Sequence, residues 1–447
     1  MSHKALPGFR DFYPAEYAVR AHITDTWRRV VRRYGFTEYD GPPLEPLELY
    51  TQKSGDEIVG QLYAFEDKGG RAVALRPEMT PTFARMVAAR AQALRKPVRW
   101  FAVPQLFRYE RQQKGRLREH FQLNVDIVGE TDVLADAELL SVAIEICRAL
   151  GLTREDFYAR VSDRRLLNAL LEHLGIADAA WPAVYAVLDK LERQPREVSR
   201  EKLASAGLEA DTCEAVLAFG TLSSVDALRA AYGSSAAVSE ALDRFAEYAA
   251  HLDALGVGEF LRLDLTIVRG LAYYTGIVFE LFDAQGEFRA ICGGGRYDRL
   301  LHALGGVDLP ALGFGMGDVV LGELLRARGK LVDVAADGAT LWLVPSETTA
   351  VSHLLTVAAV LRAADVSVEY TLSAEKLRTR KSGAMLKDAQ KAGARFALVF
   401  RDAATAELVP LTDGATSATR LELDTSTWHA ALDDAATLAP LLSALGR

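Results

Sequence analysis

Apolar positions recur every three or four residues from Ala15 to Tyr34, with Val19, Ile23, Trp27, Val30, Val31 and Tyr34 on one stripe. That spacing predicts an amphipathic helix. Gly35 stops it, and FTEYDGPP (36–43) follows as an extended segment closed by two prolines. Residues 63–81, YAFEDKGGRAVALRPEMTP, read as strands about a turn at Asp67–Gly70, with Glu78 where the chain leaves the sheet. Two longer β-rich runs, Trp100–Glu110 and Leu117–Val128, flank a polar loop, RQQKGR, that carries the turn glycine Gly115. A helix over Ala135–Leu150 and a strand over Phe157–Val161 come next, and the pattern is then helical from Asp163 to about Leu255. Strand character returns over Phe260–Glu280. CGGGRYDRLL (292–301) sets three glycines between a strand and a helix, and ALGFGMGDVVLGELL (311–325) is again strand then helix.

Beyond a linker at residues 331–338, strands and helices alternate. Leu341–Pro345 is a strand, Thr349–Ala364 a helix, and Ser367–Thr371 and Arg395–Phe400 are strands around a helix at Leu377–Ala392. Such alternation implies a small, mostly parallel sheet with helices on it. The chain is expected to be α/β: an α+β domain over residues 1–330 with a helical insertion at about 163–255, and a separate α/β unit over 339–447.

Composition narrows the class of protein. Half of the 447 residues are hydrophobic and a quarter charged, an ordinary globular balance. No apolar run is long enough to span a bilayer, and MSHKALPGFRDFYP lacks the apolar core of a signal peptide. Cys147, Cys213 and Cys292 are widely spaced and form no metal pattern, which suggests a reduced, cytoplasmic protein without disulfides or zinc. The net charge of −8 argues against non-specific coating of nucleic acid. Local basic patches still suit a specific RNA partner. One such run, Lys376, Arg378, Arg380, Lys381, Lys387 and Lys391, could meet a phosphate backbone.

The candidate chemistry sits on the 98–129 hairpin, which projects Arg108, Glu110, Arg111, Arg116, Gln122 and Asp126 from one antiparallel pair. A planar guanidinium on a rigid strand can clamp two anions at once, as the attack of a carboxylate on a phosphate requires. Glu78 could take an α-ammonium group, although a glutamate there also complements a helix N-terminus.

FRYERQQKGRLREHFQLNVDIVG, RGLAYYTGIVFE and GGGRYD together resemble the histidyl-tRNA synthetases, a family of class II aminoacyl-tRNA synthetases, as does the start PGFRDFYP. The resemblance implies a catalytic domain built on an antiparallel sheet and an anticodon-binding-like C-terminal unit. It implies ATP and Mg2+, L-histidine and tRNA(His) as substrates and partners, and a homodimer formed through the long helix and the following strand. It assigns Arg108 and Arg269 to catalysis. Histidine would be held by Glu78, Met79, Thr80, Arg108, Gln122, Asp126, Arg269, Tyr273 and Tyr274. ATP would be held by Arg108, Glu110, Arg116 and Arg269. Three departures stand out: Met79 where many members have glycine, Ala272 for an acidic residue, and Val320 where the third motif has an arginine. The lost arginine removes about 2–4 kcal/mol of ATP contact. With Val320 in place, ATP is expected to rest on Arg108, Arg116 and Arg269, with Asp318 and magnesium taking part. The alternative is a non-catalytic histidine-binding paralogue, such as the regulatory subunit of ATP phosphoribosyltransferase.

Overall fold

The structure is a computed structural model and describes residues 4–51, 59–110, 115, 117–268, 274–331, 340–403, 405–411, 421–426, 428 and 435–445. The chain divides into two units, 1–335 and 336–447.

The first unit opens with α1 (Pro14–Arg33), whose buried stripe is Ile23, Trp27, Val30 and Val31. Strands β1 (Thr37–Glu38), β5 (Val98–Ala102), β7 (Glu119–Val128), β8 (Phe157–Asp163), β9 (Leu261–Leu263), β10 (Ile277–Asp283), β11 (Cys292–Arg296) and β12 (Ala311–Gly317) form one sheet in the order β1-β5-β7-β12-β11-β10-β8-β9. Its pairs are antiparallel except β1 with β5 and β8 with β9. β6 (Gln105–Phe107) also pairs with β7, off that path. A small sheet is made by β2 (Leu44–Pro46), β3 (Tyr63–Glu66) and β4 (Ala72–Leu75).

The main sheet has two unlike faces because its side chains alternate. Leu123, Val125 and Ile127 of β7 join the larger core with α1, α3 (Val133–Ala149), α9 (Ala236–Ala254) and α11 (Asp318–Ala327). On the opposite face a smaller core of Phe83, Val87, Val98, Val128, Val278, Leu301 and Ala311 lies under α2 (Thr80–Arg90) and α10 (Leu300–Gly305). Between α4 (Arg164–His173) and α9, the helices α5 (Trp181–Leu188), α6 (Arg196–Ser205), α7 (Ala210–Ala218) and α8 (Val225–Tyr232) continue the larger core. The helical stretch is therefore packed onto the sheet through α9 and α3 rather than carried as a detached lobe.

Two expectations for this unit change. The run Trp100–Glu110 is two strands, because Val103 and Pro104 interrupt it; proline lacks the amide that a continuous ladder needs, and Pro104 offers only its carbonyl, to Gln122 N at 3.1 Å. Among the described residues of Phe260–Glu280, strand structure is confined to Leu261–Leu263 and the residues from Ile277 onward.

The second unit has its own core and a five-stranded sheet in the order β14-β13-β15-β16-β17. Its elements are β13 (Leu341–Val344), α12 (Val351–Ala363), β14 (Val368–Glu369), α13 (Ala374–Thr379), α14 (Ser382–Lys391), β15 (Phe396–Phe400), β16 (Thr405–Pro410), β17 (Leu421–Asp424) and α15 (Ala435–Ala444). The single helix expected at Leu377–Ala392 is two, because Arg380 and Lys381 adopt extended backbone. The strand expected over Ser367–Thr371 shortens to two residues.

Candidate functional site

Residues directly opposite in an antiparallel pair share a face, so register alone lays out the site. Leu106, Arg108, His120, Gln122, Asn124 and Asp126 alternate along β6–β7 on the face opposite the larger core. Asp126 and Asn124 lie opposite Gly313 and Gly315 of β12, which in turn oppose Gly295 and Gly293 of β11. The result is a floor of glycines walled by polar side chains. A Cβ on Gly313 would sit 2.1 Å from Asp126 Oδ1, and one on Gly315 would sit 2.6 Å from Gln122 Nε2. A Cβ on Gly295 would meet Ile277 O at 2.5 Å and the Tyr274 ring at 3.0 Å. Only glycine leaves these polar groups in place.

At one end of the floor, Arg108 Nε donates to Pro77 O at 2.9 Å, which sets the guanidinium beside the peptide that precedes Glu78. Glu78 is half-buried, and Met79 then begins α2 with Thr80 in its first turn. A cation and a carboxylate held against one short segment suit the carboxylate and ammonium of a free amino acid. Met79 turns inward: its side chain is fully buried and its Sδ lies 3.9 Å from Arg76 Nη1, so only its backbone could face a ligand. Glu110 is half-buried, and its carbonyl accepts from Arg118 Nε at 3.4 Å.

At the other end, Asp126 is 4% exposed and accepts a hydrogen bond from the Tyr297 hydroxyl. Burial pushes its carboxyl up to about 7, and the Tyr297 bond pulls the other way. Gln122 Nε2 donates to Asn124 Oδ1 at 3.0 Å, and Gln122 Oε1 lies 3.4 Å from His120 Nε2. Burial, and then the positive charge of Arg108, hold His120 down to about 4, so a neutral imidazole lies beside the guanidinium. Tyr274 is buried beneath Gly295. Arg116, Arg269 and Tyr273 lie outside the described residues.

A family model for histidyl-tRNA synthetases matches residues 8–317, more than half of the chain. The chain belongs to the histidyl-tRNA synthetase family. Among its relatives, the histidine–tRNA ligase of Opitutus terrae is 44% identical over 401 residues, covering 89% of this chain and 90% of that protein. The ligase of Thermoplasma volcanium is 37% identical over 399 residues, covering 89% and 91%. The chloroplastic/mitochondrial ligase of Arabidopsis thaliana is 42% identical over 330 residues, covering 74% and 67%. The crystal structure of histidyl-tRNA synthetase from Nostoc sp. PCC 7120 superposes with a TM-score of 0.79 at 23% identity, over 96% of this chain and 99% of that one. The fold is that of a class II synthetase.

Against the histidyl-tRNA synthetase pattern, two of the third-motif residues have other duties in this chain. Asp318, expected to take part in holding ATP alongside magnesium, is 5% exposed and bound to Arg10 and to the Phe121 amide. Val320 packs against the larger core, and its Cγ2 would lie 3.4 Å from a Cβ on Gly115 in the hairpin loop. Tyr297, His120 and Asn124 were missed as site residues. The alternation of β7 could have flagged His120 and Asn124, since both fall in phase with Gln122 and Asp126. Tyr297 gave no such signal, because it reaches Asp126 from 171 residues away.

Proposed function

We propose that this chain joins L-histidine to tRNA(His), using ATP to form histidyl-adenylate and pyrophosphate before AMP is displaced by the tRNA. The observation that carries the reading is the bond from Arg108 to Pro77 O beside Glu78, at the edge of a glycine floor that ends at Asp126. On this reading Glu78 and Thr80 hold the ammonium group, and Arg108 bridges the histidine carboxylate and the α-phosphate. Charge builds there as the new C–O–P linkage forms, and a preorganised guanidinium stabilises it without reorganisation. Arg269 is assigned the same task, Glu110 the adenine end and Arg116 the outer phosphates. Gln122, Asp126, Tyr273 and Tyr274 are assigned to the imidazole. Asp126, which accepts from the Tyr297 hydroxyl, is assigned as a hydrogen-bond partner of the imidazole, and a polar pocket of this kind rejects side chains that leave its groups unpaired.

Among the described residues no cluster of three or more His, Cys, Asp or Glu could hold a metal, so magnesium is assigned to the phosphates of ATP, as part of the substrate. tRNA contacts are assigned to the second unit, where Lys376, Arg378, Arg380, Lys381, Lys387 and Lys391 are all exposed. A homodimer and a cytoplasmic location complete the proposal. The latter is supported by three buried cysteines that form no disulfide. No described helix is long and apolar enough to cross a membrane. The non-catalytic alternative is disfavoured, since the relatives that span about nine-tenths of the chain are ligases.

The test is histidine-dependent ATP–pyrophosphate exchange by the purified protein, followed by charging of tRNA. Arg108→Ala is expected to lower exchange by ~10²-fold or more. A protein that binds histidine yet shows no exchange would refute the reading.

A further inference from the structure

β7 outruns its neighbour. It pairs with β12 from Val128 opposite Ala311 to Gln122 opposite Gly317, and there β12 turns into α11. Amides alternate in direction along a strand. Gln122 N goes to Pro104 O at 3.1 Å, so Phe121 N faces the side where no strand remains. Asp318 fills that gap. Its Oδ1 accepts from Phe121 N at 2.9 Å, and its Oδ2 accepts from Arg10 Nη1 at 2.9 Å. Arg10 also donates to both oxygens of Glu119, at 2.6 and 3.3 Å, and Gln105 Nε2 donates to Glu119 Oε2 at 3.0 Å. Glu119 is 1% exposed and Asp318 5%. Arg20 lies 4.4 Å from the rings of Phe12 and Phe121 on the same side. One guanidinium therefore holds two buried carboxylates directly behind the residue that precedes Gln122, and removing one member of such a set strands the others.

We propose that Arg10 and Asp318 are positioning residues for the amino-acid pocket. They form a side-chain clamp that takes over from sheet pairing behind β7 and fixes where Gln122 lies above Gly315. The proposal rests on the assignment of Gln122 to histidine. It also gives the first residue of α11 a task in the reaction that does not involve metal.

The experiment compares Asp318→Ala, Arg10→Met and Arg10→Lys in full-length protein. In pyrophosphate exchange, the KM for histidine should rise about tenfold or more in Asp318→Ala and Arg10→Met, with the KM for ATP within about twofold of the parent. Arg10→Lys keeps the charge but not the fork and should fall between the parent and Arg10→Met. Hydrogen exchange at the Phe121 amide should quicken by at least about tenfold in Asp318→Ala. In a Gln122→Ala background, Asp318→Ala should have no further effect on the histidine KM. The clamp is overturned if the Phe121 amide stays protected in Asp318→Ala, if both KM values rise together, or if Arg10→Lys is as damaging as Arg10→Met. An unchanged histidine KM in Gln122→Ala alone removes the pocket assignment instead; the clamp itself is then decided by Phe121 exchange.

Discussion

Asp126 is a carboxylate taken almost wholly out of water. Burial raises its carboxyl to about 7, against roughly 3.9 in an unfolded chain. The folded state thus keeps a proton that the unfolded chain has already released. Stability contributed by this group is full below about pH 4 and is lost as pH rises to about 7. Asp126→Asn should remove that slope, so its melting temperature should gain on the parent at about pH 8 and not at about pH 4. Thermal melts of the two proteins that run parallel across this range would dismiss the argument. Val320 is the other informative position. Its side chain is partly buried against the larger core and lies close to Gly115, so a guanidinium there has no partner prepared among the described residues. Exchange by Val320→Arg should stay level or fall. A rise of about tenfold, worth about 1.4 kcal/mol of transition-state stabilisation, would instead mean that the missing arginine limits the enzyme. At this scale the sequence was readable where chemistry follows spacing, as with Arg108, Gln122 and Asp126 in phase on one strand pair. It was silent where the partner is remote: Arg10 meets Asp318 across 308 positions, and no local pattern encodes such a pair.

Among the elements, the glycine floor makes the sharpest demand. A Cβ on Gly313 would press on Asp126 Oδ1 at 2.1 Å and on Val125 O at 2.8 Å, and a strand carbonyl in a central ladder has no room to retreat. Gly313→Ala should cost about 1–3 kcal/mol of stability and, by tilting Asp126, reduce histidine-dependent exchange more than it reduces ATP binding. Denaturant melts and nucleotide titration separate the two effects; a variant with parental stability would show that the floor is looser than drawn. The long helices were legible because an apolar stripe survives any tertiary context, as Trp27, Val30 and Val31 do in α1. The interruptions were not. Pro104 breaks a run that is β-rich on both sides, and the extended Arg380 and Lys381 divide a stretch that the sequence pattern reads as one helix. Composition averages over such breaks, and backbone hydrogen bonding does not.

For the molecule as a whole, each unit carries its own buried core, with Trp27, Phe279 and Leu324 in one and Leu343, Leu361 and Leu398 in the other. A chain ending at Ala335 should therefore melt cooperatively and retain histidine-dependent exchange, while its charging of tRNA drops by at least about tenfold through loss of phosphate contacts. Loss of exchange in a folded truncation would place part of the adenylation chemistry in the second unit. The alternation of strand and helix made that unit visible in the sequence. Its sheet order was not visible, because β16 and β17 return antiparallel beside a parallel core, a choice that strand spacing leaves open.

The bare floor has a bearing on inhibition and escape. A flat compound over Gly313, Gly315 and Gly295 would meet Asp126, Gln122 and Tyr274, which lie close against those glycines. Codon changes at those positions can only add bulk, and each addition collides with Asp126, Gln122, Tyr274 or a neighbouring carbonyl. On the proposed assignment, resistance would have to arise in the side chains that hold histidine, so a compound bound there leaves the target few routes of escape that do not also impair it.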